Sequence, residues 1–487
     1  MSNADAHLSS ELYIDGASRS TAQRTHISDP AQPSSAVGVV ASASQLDVED
    51  AISAARKAFY SWSQSSASQR AGILSTAMSG IGSCRDDDAN LLTKEIGKIL
   101  HESIIDSIVL ETRWKLALEL ADQVDAQHEL ESMPGAPEST FVQHQPLGVV
   151  TIIVPFNWPL AILGASLPHA LLAGNSVIVK PPRTAPLATA RVVARIAAAL
   201  PPGVLNVITG DDEQVRPLID DPRIAKVCFT GSVAGGKHIM QLASRSLTRV
   251  TLELGGNDPA IFLADALLDD AHLDRLFAAI FDTSGQICMN VKRIYVHESR
   301  REELVSGLAA RLENVKLGHG LDESTTMGPL HSAAQKTTFE ALIAQAKSAG
   351  AEVREFGELP TGVLADGHFV RPALVIDPNP ELDVVTQEQF GPVIPIMTFT
   401  DEADAVRAAN DTWAGLGASV WTASRESADR ISRQMQCGYV WINDHGAPRL
   451  DLRAPFGGMK QSGFGREQGL AGIRDFQDTR AVAWLVD

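Results

Sequence analysis

The segment from Ser139 to Val179 contains no Asp, Glu, Lys or Arg. An uncharged run of this length is either long enough to cross a bilayer or is buried inside a folded domain. Pro155, Pro159 and Pro168 would break a spanning helix, and Asn157 would leave a polar amide in lipid. We therefore predict a buried strand, helix and strand here, and no membrane span.

Short apolar runs alternate with helical segments throughout the region that begins at Val149. The apolar runs are VVTIIV, SVIVK, VLNVIT, KVCFTG and VTLEL, and the helices between them include one from Pro186 to Leu200 and one that begins near Gly236. This order predicts a parallel sheet covered by helices on both faces. RIYVHE, a helix over residues 301–312 and ALVIDP repeat the pattern, so we predict an α/β fold with two such domains.

Two further segments have a β pattern outside these domains. QHELESMPGAPESTFVQHQP is typical of a hairpin that turns at Met133-Pro134-Gly135, and AVAWLVD at the chain end is a strand without an obvious partner. Exposed strand edges invite pairing with another subunit, which makes both segments candidates for an oligomer contact. The sequence equally allows both segments to fold back on their own domain.

Charge and cysteine usage restrict the class of protein. A net charge of -18 with no basic run argues against nucleic-acid binding and favours a small-molecule partner. The four cysteines have no CxxC spacing, so we predict neither disulfides nor a metal site. The N-terminus lacks the basic and apolar regions of a signal peptide, and these features together predict a cytoplasmic protein.

Several polar residues lie where strands of an α/β sheet meet ligands. FTGSVAGG places Gly231 and Gly236 where a strand gives way to a helix, a site suited to a pyrophosphate, although this spacing alone is a weak signal. Lys180 ends the strand SVIVK. Asn157 lies in the turn PFNWP, where its amide could stabilise an oxyanion. Each residue also has an ordinary interpretation, as a packing glycine, a surface lysine or a turn former.

Two residues carry potential acid-base or nucleophilic chemistry. Glu253 lies inside the apolar strand VTLEL, where desolvation would raise its pKa towards that of a useful general base. Cys288, in SGQICMN, has no second cysteine or histidine near enough to share a metal. Most free cysteines are inert core residues, so Cys288 by itself favours a packing role.

The motifs taken together resemble the aldehyde dehydrogenase superfamily. PFNWP, GNSVIVKPP, FTGS, LELGGNDP, SGQIC, EQFGPV and PFGGMKQSGFGRE occur in the order found in that superfamily, over nearly the whole chain. The resemblance implies an aldehyde dehydrogenase-like fold of two parallel α/β domains and a small β bridging domain used in oligomerisation. The implied boundaries are 1–123 and 147–252 for dinucleotide binding, 253–460 for catalysis, and 124–146 and 461–487 for bridging.

The resemblance also implies a mechanism for the matching residues. Cys288 would attack the aldehyde, while its own N–H and the amide of Asn157 hold the oxyanion. Hydride would pass to a nicotinamide, and Glu253 would activate the water that hydrolyses the thioester. Because Glu253 is present, a non-acylating enzyme is implied. Glu467 would approach Glu253 from behind, but Ser166 stands where many relatives carry a lysine near the proton exit.

The implied cofactor is NAD or NADP. Its contacts would come from Lys180 at the adenosine ribose, Glu388 at the nicotinamide ribose and Phe390 beside the ring, together with Thr230, Gly231, Ser232 and Gly236. Arg183 occupies a position where many NAD-preferring relatives have a glutamate. An arginine there can meet the 2′-phosphate of NADP, which slightly favours acceptance of that cofactor.

The substrate-side residues allow two substrate classes. Trp158, Ile287, Met289 and Phe456 favour a hydrophobic or aromatic aldehyde. His445, Arg449 and Arg453 lie in a loop that could instead bind a carboxylate, which would make the substrate a semialdehyde. The chain resembles a bacterial subgroup with broad specificity, and this resemblance fixes neither class.

Two other functions and the oligomeric state stay open at this point. A binding protein that has lost catalysis is disfavoured because Cys288, Glu253 and Asn157 are all present. A cofactor-independent thiol esterase would need a histidine such as His238 or His445 beside Cys288. The resemblance also implies a homodimer or a homotetramer.

Overall fold

The computed structural model describes residues 8–131, 133–135 and 137–485. Their strands are β1 Leu8–Ser10, β2 Leu12–Ile14, β3 Ala17–Arg19, β4 Arg24–Asp29, β5 Gln32–Ala41, β6 His128–Glu129, β7 Ser139–Pro146, β8 Val149–Ile153, β9 Ser176–Lys180, β10 Leu205–Val207, β11 Ile224–Thr230, β12 Arg249–Glu253, β13 Asp258–Phe262, β14 Val291–His297, β15 Glu352–Glu355, β16 Ala373–Ile376, β17 Val393–Phe399, β18 Ala414–Gly415, β19 Gly417–Trp421, β20 Tyr439–Ile442, β21 Met459–Lys460, β22 Gly463–Phe464 and β23 Gln477–Trp484.

Helices cover the strands. They are α1 Gln45–Trp62, α2 Ala67–Ala77, α3 Ser79–Gly82, α4 Arg85–Ile96, α5 Leu100–Leu118, α6 Ala121–Val124, α7 Pro159–Leu172, α8 Leu187–Ala197, α9 Pro217–Asp220, α10 Val233–Ala243, α11 Asp270–Phe281, α12 Arg301–Leu312, α13 Ala333–Ser348, α14 Asp383–Thr386, α15 Glu402–Asn410, α16 Arg425–Ser432 and α17 Gly469–Arg474. Short 3-10 turns lie at Asp282–Gly285, Glu298–Arg300, Gly362–Leu364 and Ala447–Arg449.

The first large sheet has eight strands in the order β22-β12-β11-β8-β9-β10-β2-β3. The strands from β12 to β10 in this order run parallel, whereas β22, β2 and β3 pair antiparallel at the two edges. Alternate side chains of β9 enter different cores, Val177 and Val179 one and Ile178 the other. The two-sided burial explains why this part of the sequence is uniformly apolar.

The second large sheet has seven strands in the order β15-β16-β17-β14-β13-β19-β20, and only β15 pairs antiparallel within it. It also has a core on each face, because Phe262 of β13 packs in one cluster and Ile261 in another. The prediction of two parallel α/β domains is therefore confirmed.

The uncharged segment forms β8, α7 and β9, as predicted, and β8 and β9 are buried along their whole length. None of the helices in the described part of the chain is both long and apolar enough to span a membrane. One detail of the prediction is wrong, because Pro168 lies inside α7 and does not break it. Pro159 occupies the first turn, where a missing N–H costs nothing, and packing against α5 and the sheet holds the helix together at Pro168.

The hairpin and the terminal strand form a three-stranded antiparallel sheet, β23-β7-β6. The turn at Met133-Pro134-Gly135 is flanked by Ser132 and Ala136, which lie outside the described residues. The segment 461–487 is divided between sheets, because β22 pairs with β12 of the first large sheet while β23 pairs with β7. Residues of one predicted bridging segment therefore belong to two different sheets.

Candidate active site

A cavity of about 470 Å³ opens at the carboxyl ends of the parallel strands of the first large sheet. Lys180 ends β9, Thr230 ends β11 and Glu253 ends β12, and parallel strands bring such residues to one edge. The cavity brings together ten of the residues predicted from sequence, which are Asn157, Lys180, Arg183, Thr230, Gly231, Ser232, Glu253, Cys288, Glu388 and Phe390.

Cys288 follows a strained turn. Thr283 and Ser284 both have φ of 55°, a left-handed conformation that non-glycine residues rarely adopt. The turn is held by the buried carboxylate of Glu102, which accepts a 2.6 Å hydrogen bond from the Thr283 N–H. Gly285 has φ of 74°, and a Cβ there would lie 2.3 Å from the carbonyl oxygen of Gly391. The backbone before Cys288 therefore requires glycine at this position.

Asn157 is tied to the same turn. Its Nδ2 donates a 2.8 Å hydrogen bond to the carbonyl of Gln286, and its Oδ1 is buried without a partner. The Gln286 side chain in turn accepts a 2.9 Å hydrogen bond from the His331 N–H. An amide has two N–H donors, so one donor of Asn157 positions the turn and the second stays available near Cys288.

The thiol of Cys288 is half-buried at the cavity. Its pKa is raised to about 12, mainly by burial, and the neighbouring carboxyls of Glu388 and Asp258 contribute to this shift while Lys292 opposes it. The Lys292 ammonium donates to the carbonyl of Gly285 at 3.0 Å. Cys288 is therefore a neutral thiol at physiological pH.

Glu253 is 5% exposed, and both of its carboxylate oxygens are buried without a hydrogen-bond partner. Burial raises its pKa well above the usual range, and the negative charge of nearby Glu467 adds to this shift. Glu467 is also buried, and its carboxylate accepts a hydrogen bond from the hydroxyl of Ser166. Two carboxyls in one buried site cannot both ionise easily, so Glu253 is poised to hold a proton.

The cofactor candidates form the wall of the cavity on the side of the first large sheet. Ser232 caps α10 by accepting a 3.1 Å hydrogen bond from the Gly235 N–H. Gly236 lies outside the cavity lining, and a Cβ there would lie 2.6 Å from the methyl groups of Leu254. Gly231 does line the cavity, but its N–H already donates to the Glu253 carbonyl at 3.0 Å. The helix terminus therefore offers fewer free backbone donors than the motif predicts.

Glu388 and Phe390 line the same cavity from the segment between α14 and β17. Glu388 is half-buried at the cavity, desolvation raises its pKa to about 7, and its Oε1 accepts a 3.2 Å hydrogen bond from the Gly256 N–H. Phe390 has φ of 45°, and its ring lies 5.4 Å from the Lys292 ammonium. These two side chains reach the cavity from the second large sheet's side, across from Lys180.

Two basic residues at the opposite end are each paired with an acid. The Lys180 ammonium lies 3.2 Å from Asp212, and Arg183 lies 3.9 Å from Asp211. Arg183 is exposed, with 59% of its side chain accessible. It is therefore free to turn towards a bound group.

The substrate candidates Trp158, Ile287, Met289 and Phe456 do not line this cavity. Phe456 is buried with Leu416, Trp441 and Leu450, and Cys288 and Met289 pack against this apolar cluster. Ile287 is buried, and the indole of Trp158 donates a 2.9 Å hydrogen bond to Thr283 Oγ1. Apolar and aromatic side chains outside the cavity lining thus pack against Cys288.

The basic residues suggested for a carboxylate do not form such a site. The side chain of His445 is fully buried, its Nε2 lies 3.1 Å from the Met289 carbonyl, and its ring stacks on Trp441. Arg449 and Arg453 are exposed and lie beside Asp444 and Asp451. His238 is an exposed residue of α10, and the structure does not place it with Cys288.

Several residues of the site were not predicted from sequence. They are Glu102, which holds the turn, Gln286, which links Asn157 to His331, Lys292 beside Phe390, and the buried ion pair of Lys98 and Asp106 at 2.7 Å. Lys98 also donates to the Asn157 carbonyl at 3.0 Å. The available signal was the pair Glu102 and Asp106, two acids one helical turn apart in an apolar helix.

Comparison with known proteins identifies the family. Residues 17–482 match the aldehyde dehydrogenase family. An aminoaldehyde dehydrogenase of Arabidopsis thaliana is 35% identical over 483 residues, which cover 97% of this chain and 95% of that protein. The betaine aldehyde dehydrogenase of Beta vulgaris is 33% identical over 485 residues, with 97% and 96% covered.

A solved structure agrees with this assignment. Betaine aldehyde dehydrogenase from Staphylococcus aureus in complex with NAD+ superposes with a TM-score of 0.92 at 32% identity, covering 98% of this chain and 95% of that chain. The fold and the family predicted from sequence are therefore confirmed. The chain belongs to the aldehyde dehydrogenase family and is an NAD(P)-dependent aldehyde dehydrogenase.

Proposed function

We propose that this protein oxidises a hydrophobic or aromatic aldehyde to its carboxylic acid through a covalent intermediate on Cys288. The single observation that supports this most strongly is the cavity that Cys288, Glu253 and Asn157 share with the cofactor candidates. A nucleophile, a base and an oxyanion donor from three distant parts of the sequence converge on it.

Cys288 is the nucleophile. Its sulfur forms a bond to the aldehyde carbon, and the carbonyl oxygen becomes an oxyanion. The N–H of Cys288 and the second N–H of Asn157 Nδ2 stabilise that oxyanion, and the bond from Asn157 to Gln286 keeps the amide in place. Because the resting thiol has a pKa of about 12, it must release its proton to solvent as substrate and cofactor bind, and the thiolate then attacks.

The residues around the cavity fit a nicotinamide dinucleotide. The half-buried carboxyl of Glu388 suits a ribose hydroxyl, Phe390 suits the face of a ring, and Lys180 suits the adenosine ribose. When bound, the nicotinamide accepts the hydride released from the aldehyde carbon. Arg183 would contact a 2′-phosphate, so NADP is accepted as well as NAD.

Glu253 is the general base of the second half-reaction. In its deprotonated form Glu253 accepts a proton from water through oxygens that have no other partner, and its raised pKa makes it a stronger base than an ordinary glutamate. The resulting hydroxide equivalent attacks the thioester carbon, which releases the acid and restores the Cys288 thiol. Glu467 stands behind Glu253 and raises its basicity.

The substrate side favours an apolar body. The cluster of Phe456, Trp441, Leu416 and Leu450 packs against Cys288 and suits an aromatic or aliphatic group. The relatives that resemble this chain are named for amino and betaine aldehydes, which carry positive charge. A cation would have no carboxylate partner in this cluster, so we do not assign those substrates here.

The test mixes the protein with NAD or NADP and a panel of aromatic, aliphatic and carboxylated aldehydes. Formation of the reduced nicotinamide is followed by its absorbance at about 340 nm. We expect turnover that is highest with apolar or aromatic aldehydes. In Cys288→Ala it should fall by at least about 1000-fold.

Cofactor binding to Cys288→Ala is the control, because the variant should still quench tryptophan fluorescence with NAD. Residual turnover close to wild type in that variant would contradict the proposed nucleophile. Ester hydrolysis that exceeds aldehyde oxidation and needs no cofactor would instead favour a thiol esterase.

The three-stranded sheet is the proposed contact between subunits. Its outer strand β23 presents an unpaired edge, and Trp484 and Leu485 beside it are exposed. We expect a dimer or tetramer by light scattering, and a chain that ends at residue 476 should be monomeric. A full-length monomer would contradict this role.

A further inference from the structure

His331 is a buried histidine whose side chain contacts three separate segments near the site. It is 8% exposed and lies two residues before α13. Its ring stacks on Phe156, with the ring centres 3.9 Å apart and the ring planes at 13°. Its Nε2 lies 2.6 Å from Thr184 Oγ1, and its Nδ1 lies 3.3 Å from the carbonyl oxygen of Ile96. Because Phe156 and Thr184 both line the cavity that contains Cys288, the imidazole joins two parts of the cavity wall to the end of α4.

The partners of the imidazole determine which ring nitrogen carries a proton. Burial lowers the pKa of His331 to about 4, so the ring is neutral at physiological pH. A carbonyl oxygen can only accept, so Nδ1 carries the hydrogen that is donated to Ile96. Nε2 is then the acceptor, and the hydroxyl of Thr184 donates to it. Both ring nitrogens are therefore bonded, and the ring is held in one orientation.

His331 is connected to the oxyanion candidate Asn157 by two routes. Its backbone N–H donates a 2.9 Å hydrogen bond to Gln286 Oε1, and the Gln286 carbonyl accepts a 2.8 Å hydrogen bond from Asn157 Nδ2. Phe156, on which the ring of His331 stacks, is the residue immediately before Asn157. The side-chain amide of Asn157 is thus restrained through Gln286, and its backbone is restrained through Phe156.

We infer that His331 is a positioning residue that holds the amide of Asn157 where it stabilises the oxyanion. The inference rests on the proposed function, because it takes Asn157 as the oxyanion donor. The two ring hydrogen bonds fix the imidazole, and the fixed imidazole restrains Phe156 and Gln286. A displacement of about 1 Å can cost about 100-fold in rate, so an oxyanion donor gains from being restrained on two sides.

The test follows acylation of Cys288 by 4-nitrophenyl acetate, which needs no cofactor. The sulfur bonds to the acyl carbon, 4-nitrophenolate leaves, and the thiol proton passes to solvent. The acyl oxygen becomes an oxyanion during this step, and 4-nitrophenolate released in the first turnover measures the rate. We expect His331→Leu to lower the acylation rate constant at least about 10-fold. His331→Phe keeps a ring that can stack on Phe156 and should retain part of the rate.

A double-mutant cycle separates positioning from general support of the fold. Asn157→Ala should lower the acylation rate more than His331→Leu does. Adding His331→Leu to Asn157→Ala should then lower the rate by no more than about 2-fold further, because the group that His331 positions is already absent. A fully additive loss, or a normal rate in His331→Leu, would overturn the inference. A normal rate in Asn157→Ala would instead contradict the oxyanion donor of the proposed function.

Thr184→Val is a milder variant, because it removes only the hydroxyl that donates to Nε2. We expect the acylation rate to fall about 3-fold, the value of one ordinary hydrogen bond. Combining it with His331→Phe, which lacks that nitrogen, should cause no further loss beyond that of His331→Phe. A normal rate in Thr184→Val would contradict the inference even if the His331 variants fold poorly.

His169→Leu is the matched control. His169 is also a buried histidine, 3% exposed in the last turn of α7, and burial lowers its pKa to about 3, so it too is neutral. Its replacement should leave the acylation rate unchanged. If His169→Leu lowered the rate as much as His331→Leu does, the loss would follow from removing any buried histidine, and the inference would be wrong.

Discussion

The two sides of Cys288 are built from different kinds of structure. On one side, strand ends, glycines and buried charged residues surround a cavity of about 470 Å³. On the other side, Phe456, Trp441, Leu416 and Leu450 form an apolar cluster contributed largely by β20 and the loop after it. The first side suits a polar dinucleotide, whereas the second suits the apolar body of a substrate.

This difference assigns cofactor binding to the cavity side and substrate selection to the cluster side. The cavity side depends on residues fixed by the ends of parallel strands, which move little when surface residues change. The cluster side depends on a loop over residues 443–456, and loops vary without altering the fold. We therefore expect changes on the two sides to affect different kinetic constants.

Asn157→Ala should have the largest effect, because it removes an oxyanion donor at the boundary of the two sides. Loss of one such donor typically costs about 100- to 1000-fold in rate. We expect this loss in the rate of the burst, which is the rapid formation of reduced cofactor during the first turnover. Cofactor affinity, measured by fluorescence quenching, is the control and should change little. A normal burst would exclude Asn157 from oxyanion stabilisation.

Phe456→Ala should alter the substrate side alone. We expect kcat/KM for benzaldehyde to fall about 10- to 100-fold, because a buried aromatic contact is lost, while acetaldehyde is affected less. Glu388→Gln is the matched change on the other side and should raise the KM for the cofactor instead. If Phe456→Ala weakened cofactor binding as strongly as Glu388→Gln, the separation of the two sides would be wrong.

Glu467→Gln should shift a pH profile. The charge of Glu467 raises the pKa of Glu253, so its removal lowers that pKa. Glu253 acts as a base when deprotonated, and the rising limb of thioester hydrolysis should therefore move to lower pH. Ser166→Ala should shift the limb in the same direction but less. The Ser166 hydroxyl lowers the pKa of Glu467, so its loss leaves Glu467 less ionised, and a less ionised Glu467 raises the pKa of Glu253 less. A limb displaced to higher pH would contradict the proposed coupling.

Arg183→Glu should have the smallest effect. Arg183 is largely exposed, so solvent screens its charge, and we expect the NADP-to-NAD ratio of kcat/KM to fall about 10-fold. Arg216→Glu, which changes another exposed arginine, is the control. An unchanged ratio would show that Arg183 faces solvent and does not contact the 2′-phosphate.

Most of the cavity side was predictable from sequence. Lys180, Thr230 and Glu253 each end an apolar strand, and the ends of neighbouring parallel strands must meet. Glu102 and Lys292 were missed because each acts through a backbone group, Thr283 N–H or Gly285 carbonyl, that no side-chain pattern marks. Glu467 and Ser166 come together only because α17 packs against α7, a contact that sequence spacing does not encode.

The buried position of His445 was missed for a related reason. A histidine in a polar loop is expected to be exposed and able to bind a substrate carboxylate, but His445 is buried and stacks on Trp441. Gly236 was predicted as a phosphate contact, yet its absent side chain makes room for Leu254. In both cases a long-range packing neighbour decides the role, and the local sequence does not contain it.

The most direct test of the account is a single-turnover experiment with Glu253→Gln, saturating cofactor and benzaldehyde. Without the general base, hydride transfer should still occur once, and the thioester should persist. We predict that each active site forms one molecule of reduced cofactor. Mass spectrometry should then show an added acyl group on the intact protein and on the peptide that contains Cys288. Continued turnover with unmodified Cys288 would contradict the assignment of nucleophile and base.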